Sequence, residues 1–178
     1  MGKFHRNITG VTLIELIVTL VVLGILISIG VNSYSGVFSQ QELIQRTERL
    51  YHFLRLAKSQ SIKHNKKVYV HFCQLNGTGM WKMAMAEGAS CDCFSAYSCH
   101  VNGLEMVEDL ADGKTIFTSP LDVTFNGEQA SFSPMRFSVN PGSVTLTDIN
   151  GAKLKVIQST MRLRICSPDQ EQLGYKKC

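Results

Sequence analysis

The stretch from Gly10 to Gly30, GVTLIELIVTLVVLGILISIG, places the strongest constraint on the fold. It is apolar at almost every position over roughly 20 residues, the length of a helix that spans a bilayer. A leader with Lys3 and Arg6 precedes it, which is typical of a front end that stays in the cytoplasm. Glu15 lies near the start of the run, where a carboxylate is costly in lipid and is by default functional. We therefore expect Glu15 to pair with a positive charge on another subunit.

The first residues of this run, GVTLIE at 10–15, resemble the class III signal of type IV pilins and of type II secretion pseudopilins. The resemblance implies that a prepilin peptidase cuts between Gly10 and Val11 and then N-methylates Val11. Most members of the family have Phe at that place, so Val11 departs from the pattern. The resemblance also implies that Glu15, the fifth mature residue, pairs with the α-amine of a neighbouring subunit and fixes its register in a filament.

Two simpler interpretations of the apolar run exist. In an ordinary secretory signal, Ser28 and Gly30 could be the small residues before a cut. The run could also be a plain membrane anchor. Neither interpretation explains why the chain places the Glu15 carboxylate in lipid, where it is energetically unfavourable. The pilin-type signal is therefore the better interpretation.

The apolar run also predicts how the chain is divided. We expect four segments: a leader peptide at 1–10, a transmembrane half-helix at 11–31, an amphipathic half-helix at 32–65, and a periplasmic β-rich globular domain at 66–178. The formal charge of +4 falls by two, to +2, once Lys3 and Arg6 leave with the leader. This overall charge is too small to indicate a nucleic-acid partner, so any such interaction depends on local clusters.

Helical periodicity continues well beyond the apolar run. Apolar or small residues recur at helical spacing and form one line along the helix: Leu43, Thr47, Leu50, Leu54 and Ala57. Phe53, Tyr51 and Ile62 lie beside this line. We expect this face to pack on the globular domain, with Asn65 ending the helix. The segment from Asn32 to Gly36 is expected to loosen the helix locally.

From Lys66 onward the period changes to two, which indicates strands. Strands are predicted at 67–73, 80–85, 114–118, 123–125, 130–133, 136–139, 143–147, 153–157 and 161–166, with residues 87–113 irregular. Asn76-Gly77 and Asn150-Gly151 are two-residue hairpin signals. The fold class is therefore α+β, with a long N-terminal helix packed on an antiparallel β-sheet domain. The stretches 57–73 and 130–157, with the final strand, resemble the H-type pseudopilins and the FimT-like minor pilins.

Six cysteines follow the export segment, and an even number there indicates disulfides in an oxidising compartment: Cys73, Cys91, Cys93, Cys99, Cys166 and Cys178. The sequence does not choose among the pairings. Cys91, Cys93, Cys99 and His100 could instead form a zinc site, although their spacing is not a standard one. The resemblance to pilins implies a C-terminal loop closed by Cys166 and Cys178. Cys73 is then expected to bond Cys91 or Cys93.

The last predicted strand carries two arginines on one face. With a period of two, Arg162 and Arg164 point one way while Leu163 and Ile165 point the other. A tail held at Cys166 could bring Lys176 and Lys177 nearby, and such a cluster suits DNA phosphates without sequence preference. The FimT-like minor pilins of natural transformation have a Gly-Arg-x-Arg motif at this place that is associated with DNA binding. Both arginines match it, but Met161 replaces the glycine. The alternative is an ordinary solvated strand face.

No arrangement of residues in the sequence suggests catalysis, and no phosphate-binding loop is present. We therefore expect a non-enzymatic chain without a cofactor or a metal ion. The resemblance implies a minor pilin or pseudopilin of the bacterial inner membrane, with other pilin subunits, prepilin peptidase and double-stranded DNA as partners. One alternative is an H-type pseudopilin of a type II secretion system. An alternative of another class is a membrane-tethered periplasmic binding domain that never polymerises.

Overall fold

A computed structural model describes residues 11–75, 79–112, 121–135, 140–160 and 162–178, without the side chains of 29–35 and 112. The chain divides into two compact units, the first ending at Phe38 and the second running from Ser39 to Cys178.

One helix, α1, runs from Leu13 to His64 and belongs to both units. Asn65, at a φ of 51°, ends it, and its backbone N–H donates to the Ile62 carbonyl at 3.2 Å. The expected loosening between 32 and 36 is not seen, because the backbone stays helical there. A few weak helix formers are tolerated because helix propagation is cooperative and long helical segments flank them.

In the second unit, α1 buries the face that the periodicity predicts. Leu43, Leu50 and Leu54 are completely buried in one hydrophobic core. Ile62, which the periodicity places beside this line, is 56% exposed, while Ser61 is buried. At 100° of rotation per residue, Ser61 continues the line of the leucines and Ile62 lies well to one side of it.

Ten strands accompany the helix in the described residues: β1 Val68–Leu75, β2 Met80–Ala86, β3 His100–Val101, β4 Leu104–Glu105, β5 Val107–Asp112, β6 Asp122–Val123, β7 Gln129–Phe132, β8 Gly142–Thr147, β9 Lys153–Gln158 and β10 Leu163–Cys166. They form two four-stranded sheets with the orders β5-β2-β1-β7 and β10-β9-β8-β6, and β3 and β4 form a ribbon. Every pairing is antiparallel. Side chains from both sheets join α1 in the core. The fold is therefore the expected α+β arrangement.

The prediction that residues 87–113 are irregular holds for 87–99 but was wrong for 100–112, which contain β3, β4 and β5. Strand β5 pairs with β2 at the edge of the first sheet. Its sequence, VEDLAD, is too acidic to resemble a half-buried strand, but an edge strand tolerates charges on its open side. The burial of Leu110 and Ala111 fixes it to the core.

The turn between β8 and β9 is longer than the two residues that Asn150-Gly151 predicts. The backbone N–H of Asp148 donates to the Ala152 carbonyl, and Gly151, at a φ of 82°, completes a three-residue turn. The Asp148 carboxylate is buried and accepts the backbone N–H groups of Asn150 and Ala152 at 2.9 and 2.7 Å. These bonds stabilise the longer turn.

Some predicted elements lie outside the described residues. They are the strands at 114–118 and 136–139 and the turn at Asn76-Gly77. The strands β1 and β2 on either side of that turn pair as a hairpin, with Leu75 opposite Met80.

Truncation of the buried helix face should destabilise the second unit. We expect Leu50→Ala to lower the free energy of unfolding by about 2–5 kcal/mol, because it removes a fully buried side chain and leaves a cavity. Leu56 lies on the same helix and is 40% exposed, so Leu56→Ala should cost only about 0.5 kcal/mol. Urea unfolding of both variants measures the difference, and equal losses would contradict the packing described.

Candidate functional site

The N-terminal unit begins with a side-chain cap on α1. The hydroxyl of Thr12 accepts a hydrogen bond from the backbone N–H of Glu15, at 3.4 Å. Thr12 and Glu15 have the spacing of a capping box, in which Ser or Thr precedes Glu by three residues. Sequence reasoning missed Thr12, although this spacing is visible in the sequence. Glu15 is exposed in the first turn, where the positive end of the helix dipole favours a carboxylate.

The same unit exposes apolar side chains on all sides. From Val11 to Ile27, the large apolar residues in α1 and just before it are each between 46% and 80% exposed. A helix that is apolar all round needs lipid or other apolar surfaces to cover it. Among the helices that the structure describes, none meets the combined length and apolarity of a membrane span.

The second unit places both predicted arginines at the open edge of a sheet. Strand β10 pairs with β9 on one side only. The turn between them closes at Arg162, whose backbone N–H donates to the Ser159 hydroxyl at 3.1 Å. Arg162 is exposed and Arg164 is partly exposed, while Leu163 and Ile165 pack on the core. The alternation along this strand is therefore as expected.

The C-terminal tail folds back beside β10. A disulfide joins Cys166 to Cys178, the pairing that the resemblance to pilins implies. The backbone N–H of Ser167 donates to the Lys176 carbonyl, and that of Cys178 donates to the Ser167 carbonyl, both at 2.9 Å. The side chains of Lys176 and of the adjacent Lys177 are exposed. The tail thus brings two lysines to the end of β10.

Strand β9 adds two cations that sequence reasoning missed, Lys153 and Lys155. The side chains of β9 alternate between partly exposed and buried, and both lysines are on the exposed face. Ile157, on that same face, is paired with Arg164, and paired residues of antiparallel strands share a face. The alternation in KLKVIQ indicates which residues face out, but the pairing with β10 is visible only in the structure.

We call these six cations the basic face: Lys153, Lys155, Arg162, Arg164, Lys176 and Lys177. It also has an acidic neighbour, since the Asp169 carboxylate lies 3.6 Å from the Lys153 ammonium. The guanidinium of Arg164 donates to the Cys178 carbonyl at 3.4 Å. The tail and the strand are therefore bonded within the basic face itself.

Comparison with known families decides what kind of chain this is. The family model described as type II transport protein GspH matches residues 46–169, well over half of the chain. The chain belongs to the GspH family. The model of the prokaryotic N-terminal methylation motif matches residues 5–31. No curated protein and no solved structure matches the chain significantly.

Membership defines this GspH-family chain as a pilin-like subunit, a minor pilin or a pseudopilin. The family and the motif together imply a membrane-anchored subunit that prepilin peptidase processes and that assembles with other pilin subunits. The long helix and antiparallel sheets described above agree with this family's pilin-like fold.

The other four cysteines of this GspH-family chain form two adjacent disulfides, Cys73–Cys93 and Cys91–Cys99. The sulfurs of Cys91, Cys93 and Cys99 lie within 4.8 Å of one another, a separation that three metal ligands could have. All six cysteines lie in the described part of the chain, and none is free. The Cys73–Cys93 disulfide therefore links the loop after β2 to β1, and the Cys91–Cys99 disulfide closes a smaller ring within that loop.

A second basic cluster, near the end of α1, has contacts within the fold. The Lys58 ammonium donates to the Ser133 carbonyl, and Lys66 pairs with Glu87, both at 2.8 Å. Partial burial lowers the pKa of Lys58. These contacts give both lysines a structural role within the fold.

The tail is also bonded to α1 through Tyr175. Its hydroxyl donates to the Glu48 carboxylate at 2.9 Å. Desolvation, followed by this hydrogen bond, raises the pKa of Tyr175 to about 12. The phenol must stay protonated to donate, so the neutral form is the one that the fold stabilises.

Alkaline pH should weaken this contact. In the unfolded chain Tyr175 loses its proton near pH ~10, whereas in the fold its pKa is about 12. The stabilisation is therefore complete below pH ~10 and lost as the pH rises towards about 12. Tyr175→Phe should flatten the fall in unfolding free energy over this range, whereas Tyr97→Phe, at a 79% exposed residue, should not. Thermal melts across this range measure it, and equal pH slopes in both variants would contradict it.

Proposed function

We propose that this chain is a minor pilin that is anchored in the bacterial inner membrane, enters a filament and binds double-stranded DNA there. In this proposal residues 1–10 are removed, Val11 becomes the N-methylated first residue, residues 11–31 span the membrane, and the domain at 66–178 lies in the periplasm. The match to the N-terminal methylation motif supports the processing. The apolar run of the sequence reaches Gly30, whereas the structure describes the side chains of α1 as far as Ser28 and again from Gly36.

Glu15 is proposed to select the register of assembly. Glu15 follows Val11 by four residues, about one helical turn, and the other side chains of this part of the helix are mostly apolar. Cleavage after Gly10 creates an α-amine at the same end of every subunit. The attraction between a carboxylate and a protonated amine is strongest in an environment of low dielectric constant. Each such pair therefore favours one axial position of the incoming subunit.

Removal of this charge should affect assembly and leave processing intact. Glu15→Val leaves Gly10 and Val11 in place and makes the helix more apolar, so cleavage and membrane insertion should stay close to normal. Incorporation into sheared filaments should fall at least about tenfold, because a buried amine without its counter-charge costs more than about 1.4 kcal/mol. Thr19→Val is the matched control, since Thr19 bonds only locally to the Leu16 carbonyl, and it should assemble normally. Normal incorporation of the Glu15→Val subunit would contradict the role.

The basic face is the observation that supports DNA binding. It joins cations from two adjacent strands and from a disulfide-held tail within one small area. Lys and Arg side chains grouped in this way neutralise phosphates and release counterions, which gives affinity without sequence preference. Strand β10 is at the edge of its sheet, so its cations are not covered by a further strand of that sheet.

A double substitution in β10 and its turn tests the DNA contact. Arg162→Gln with Arg164→Gln removes two phosphate contacts while the inward residues Leu163 and Ile165 stay in place. In a mobility-shift titration of a chain that begins at Gly36, binding should weaken. The slope of log K against log salt should become shallower by about two units. Reduction of the disulfides should weaken binding less than these substitutions.

The matched control carries the same change of charge on α1, where Arg49 and Arg55 are exposed. Arg49→Gln with Arg55→Gln should leave both the affinity and the salt slope near those of the unmodified chain. No retardation at low salt, or equal losses in both double variants, would favour a purely structural subunit.

A second candidate function is an H-type pseudopilin of a type II secretion system, and the match to the GspH model favours it. Such a subunit would assemble through the same N-terminal helix but would not need DNA. A membrane-tethered binding domain that never polymerises is the remaining alternative. Deletion of the chain separates the three, since it would abolish DNA uptake, protein secretion or neither.

A further inference from the structure

The two disulfides next to β1 cross one another along the chain. Cys73 bonds Cys93, and Cys91, which lies between them in the sequence, bonds Cys99. We call these four residues the sulfur cluster. A crossed pattern cannot form if each cysteine simply bonds the next one in the sequence, so its formation needs an explanation.

The unfolded chain does not select this pattern. Four cysteines allow three pairings, and the entropic cost of closing a loop changes only slowly with its length. Cys91 and Cys93 are therefore nearly equivalent partners for Cys73 before the chain folds. For Cys99 the nearer of the two is Cys93, so loop closure slightly favours a bond that the fold does not contain. Oxidation that precedes folding should therefore produce mispaired chains.

The folded loop after β2 makes the choice that the unfolded chain does not make. Asp92 lies between Cys91 and Cys93, and its carboxylate accepts the backbone N–H of Phe94 at 2.9 Å. The backbone N–H of Asp92 donates to the Ser98 hydroxyl, also at 2.9 Å. These bonds fix the directions of the two cysteines on either side of Asp92, so the observed pairing is favoured once the loop has formed.

The exposure of the sulfur cluster shows how a wrong pairing can be corrected. Cys93 and Cys99 are 3% and 0% exposed, whereas Cys73 and Cys91 are partly exposed. A bond between Cys73 and Cys91 would join the two partly exposed cysteines and leave the buried ones to each other. The sulfurs of Cys91, Cys93 and Cys99 lie within 4.8 Å of one another. An external thiolate can thus reach the wrong bond, and the sulfurs that must then exchange are neighbours.

We propose that the sulfur cluster is a site of thiol–disulfide exchange with a periplasmic dithiol oxidoreductase that acts as a disulfide isomerase. Such an enzyme supplies the attacking thiolate that exchange requires. The initial bonds are made by an oxidising protein disulfide, which accepts two electrons and two protons for each bond. This inference rests on the proposed periplasmic location of the domain and uses none of the residues of the basic face.

The exchange itself needs no net oxidant. The thiolate of the isomerase attacks the Cys91 sulfur of a Cys73–Cys91 bond, which forms a mixed disulfide and releases the Cys73 thiolate. That thiolate attacks Cys93 in a Cys93–Cys99 bond and displaces the Cys99 thiolate. Cys99 then attacks Cys91, closes the second native bond and releases the isomerase thiolate unchanged. Entry at Cys73 leads to the same products in the mirrored order.

A trapped intermediate tests the site directly. The full-length chain is expressed in its own cells with an isomerase whose second active-site cysteine is replaced by alanine, so that mixed disulfides persist. Peptide mapping without reduction should place the isomerase on Cys73 or Cys91. The Cys166–Cys178 bond joins consecutive cysteines and is the internal control, although Cys178 is exposed. No adduct, or an adduct only in this tail, would overturn the inference.

Removal of the isomerase supplies the second measurement. In cells without it, the fraction of chains with the Cys73–Cys93 bond should fall at least about twofold, since two of the three pairings in the sulfur cluster are wrong. The Cys166–Cys178 bond should form as before.

Two double variants remove the crossing and serve as matched controls. Cys91→Ala with Cys99→Ala leaves Cys73 and Cys93 as consecutive cysteines, and Cys73→Ala with Cys93→Ala leaves the other pair. Either variant should form its remaining bond equally well with and without the isomerase, because the nearest cysteines then belong together. The second variant keeps the test valid if the first does not fold. Equal dependence on the isomerase in the unmodified chain and both variants would contradict the inference.

Processing at Val11 and the oxidation state of the cysteines are scored in the same samples. A processed chain that pairs correctly without the isomerase overturns the exchange site and leaves the proposed function intact. A chain whose cysteines all stay reduced is not in the periplasm, and this result overturns both.

Discussion

The second unit depends on one face of α1 that is buried between strands of both sheets. Leu43, Leu50 and Leu54 are completely inaccessible and share a single core with residues such as Phe132 and Leu146. Neither four-stranded sheet could bury its inner face without this helix, because a sheet with one apolar face must pack on another layer. Since the helix continues into the N-terminal unit, the segment that stabilises the domain is the same one that carries Glu15.

The basic face depends on a second constraint, the disulfide between Cys166 and Cys178. In the chain-entropy model a loop of this size contributes roughly 3 kcal/mol. Its main effect here is positional, because it keeps the tail against the end of an edge strand and groups Lys176 and Lys177 with Arg164. The contact between Tyr175 and Glu48 then ties this arrangement to α1. A loose tail would leave the same charges dispersed.

The sequence predicts those parts of the fold that follow from periodicity. The buried line of α1, the β1–β2 hairpin and the inward side chains of β10 all repeat at a characteristic spacing, so local pattern alone indicates them. Strand β5 has no such pattern, because its acidic residues are tolerated at a sheet edge that only tertiary pairing creates. The longer turn after β8 depends on the buried Asp148 carboxylate, a contact that the Asn-Gly signal does not contain.

The candidate site shows the same division. The spacing of Arg162 and Arg164 is visible in the sequence, and the resemblance to pilins supplies the disulfide beside them. The addition of Lys153 and Lys155 requires the register of β9 against β10, which is a property of the folded sheet. The choice of Cys93 over Cys91 as the partner of Cys73 likewise depends on how the loop after β2 packs.

The central claim is that this chain is a processed pilin-like subunit, and the intact mass of the protein from native membranes tests it most directly. The account predicts a chain that begins at Val11, carries one added methyl group and contains three disulfides. Fragmentation of the first residues would place the methyl group on the α-amine of Val11. A mature chain that begins at Val31, as a secretory signal would leave it, or one that still begins at Met1 would contradict the account.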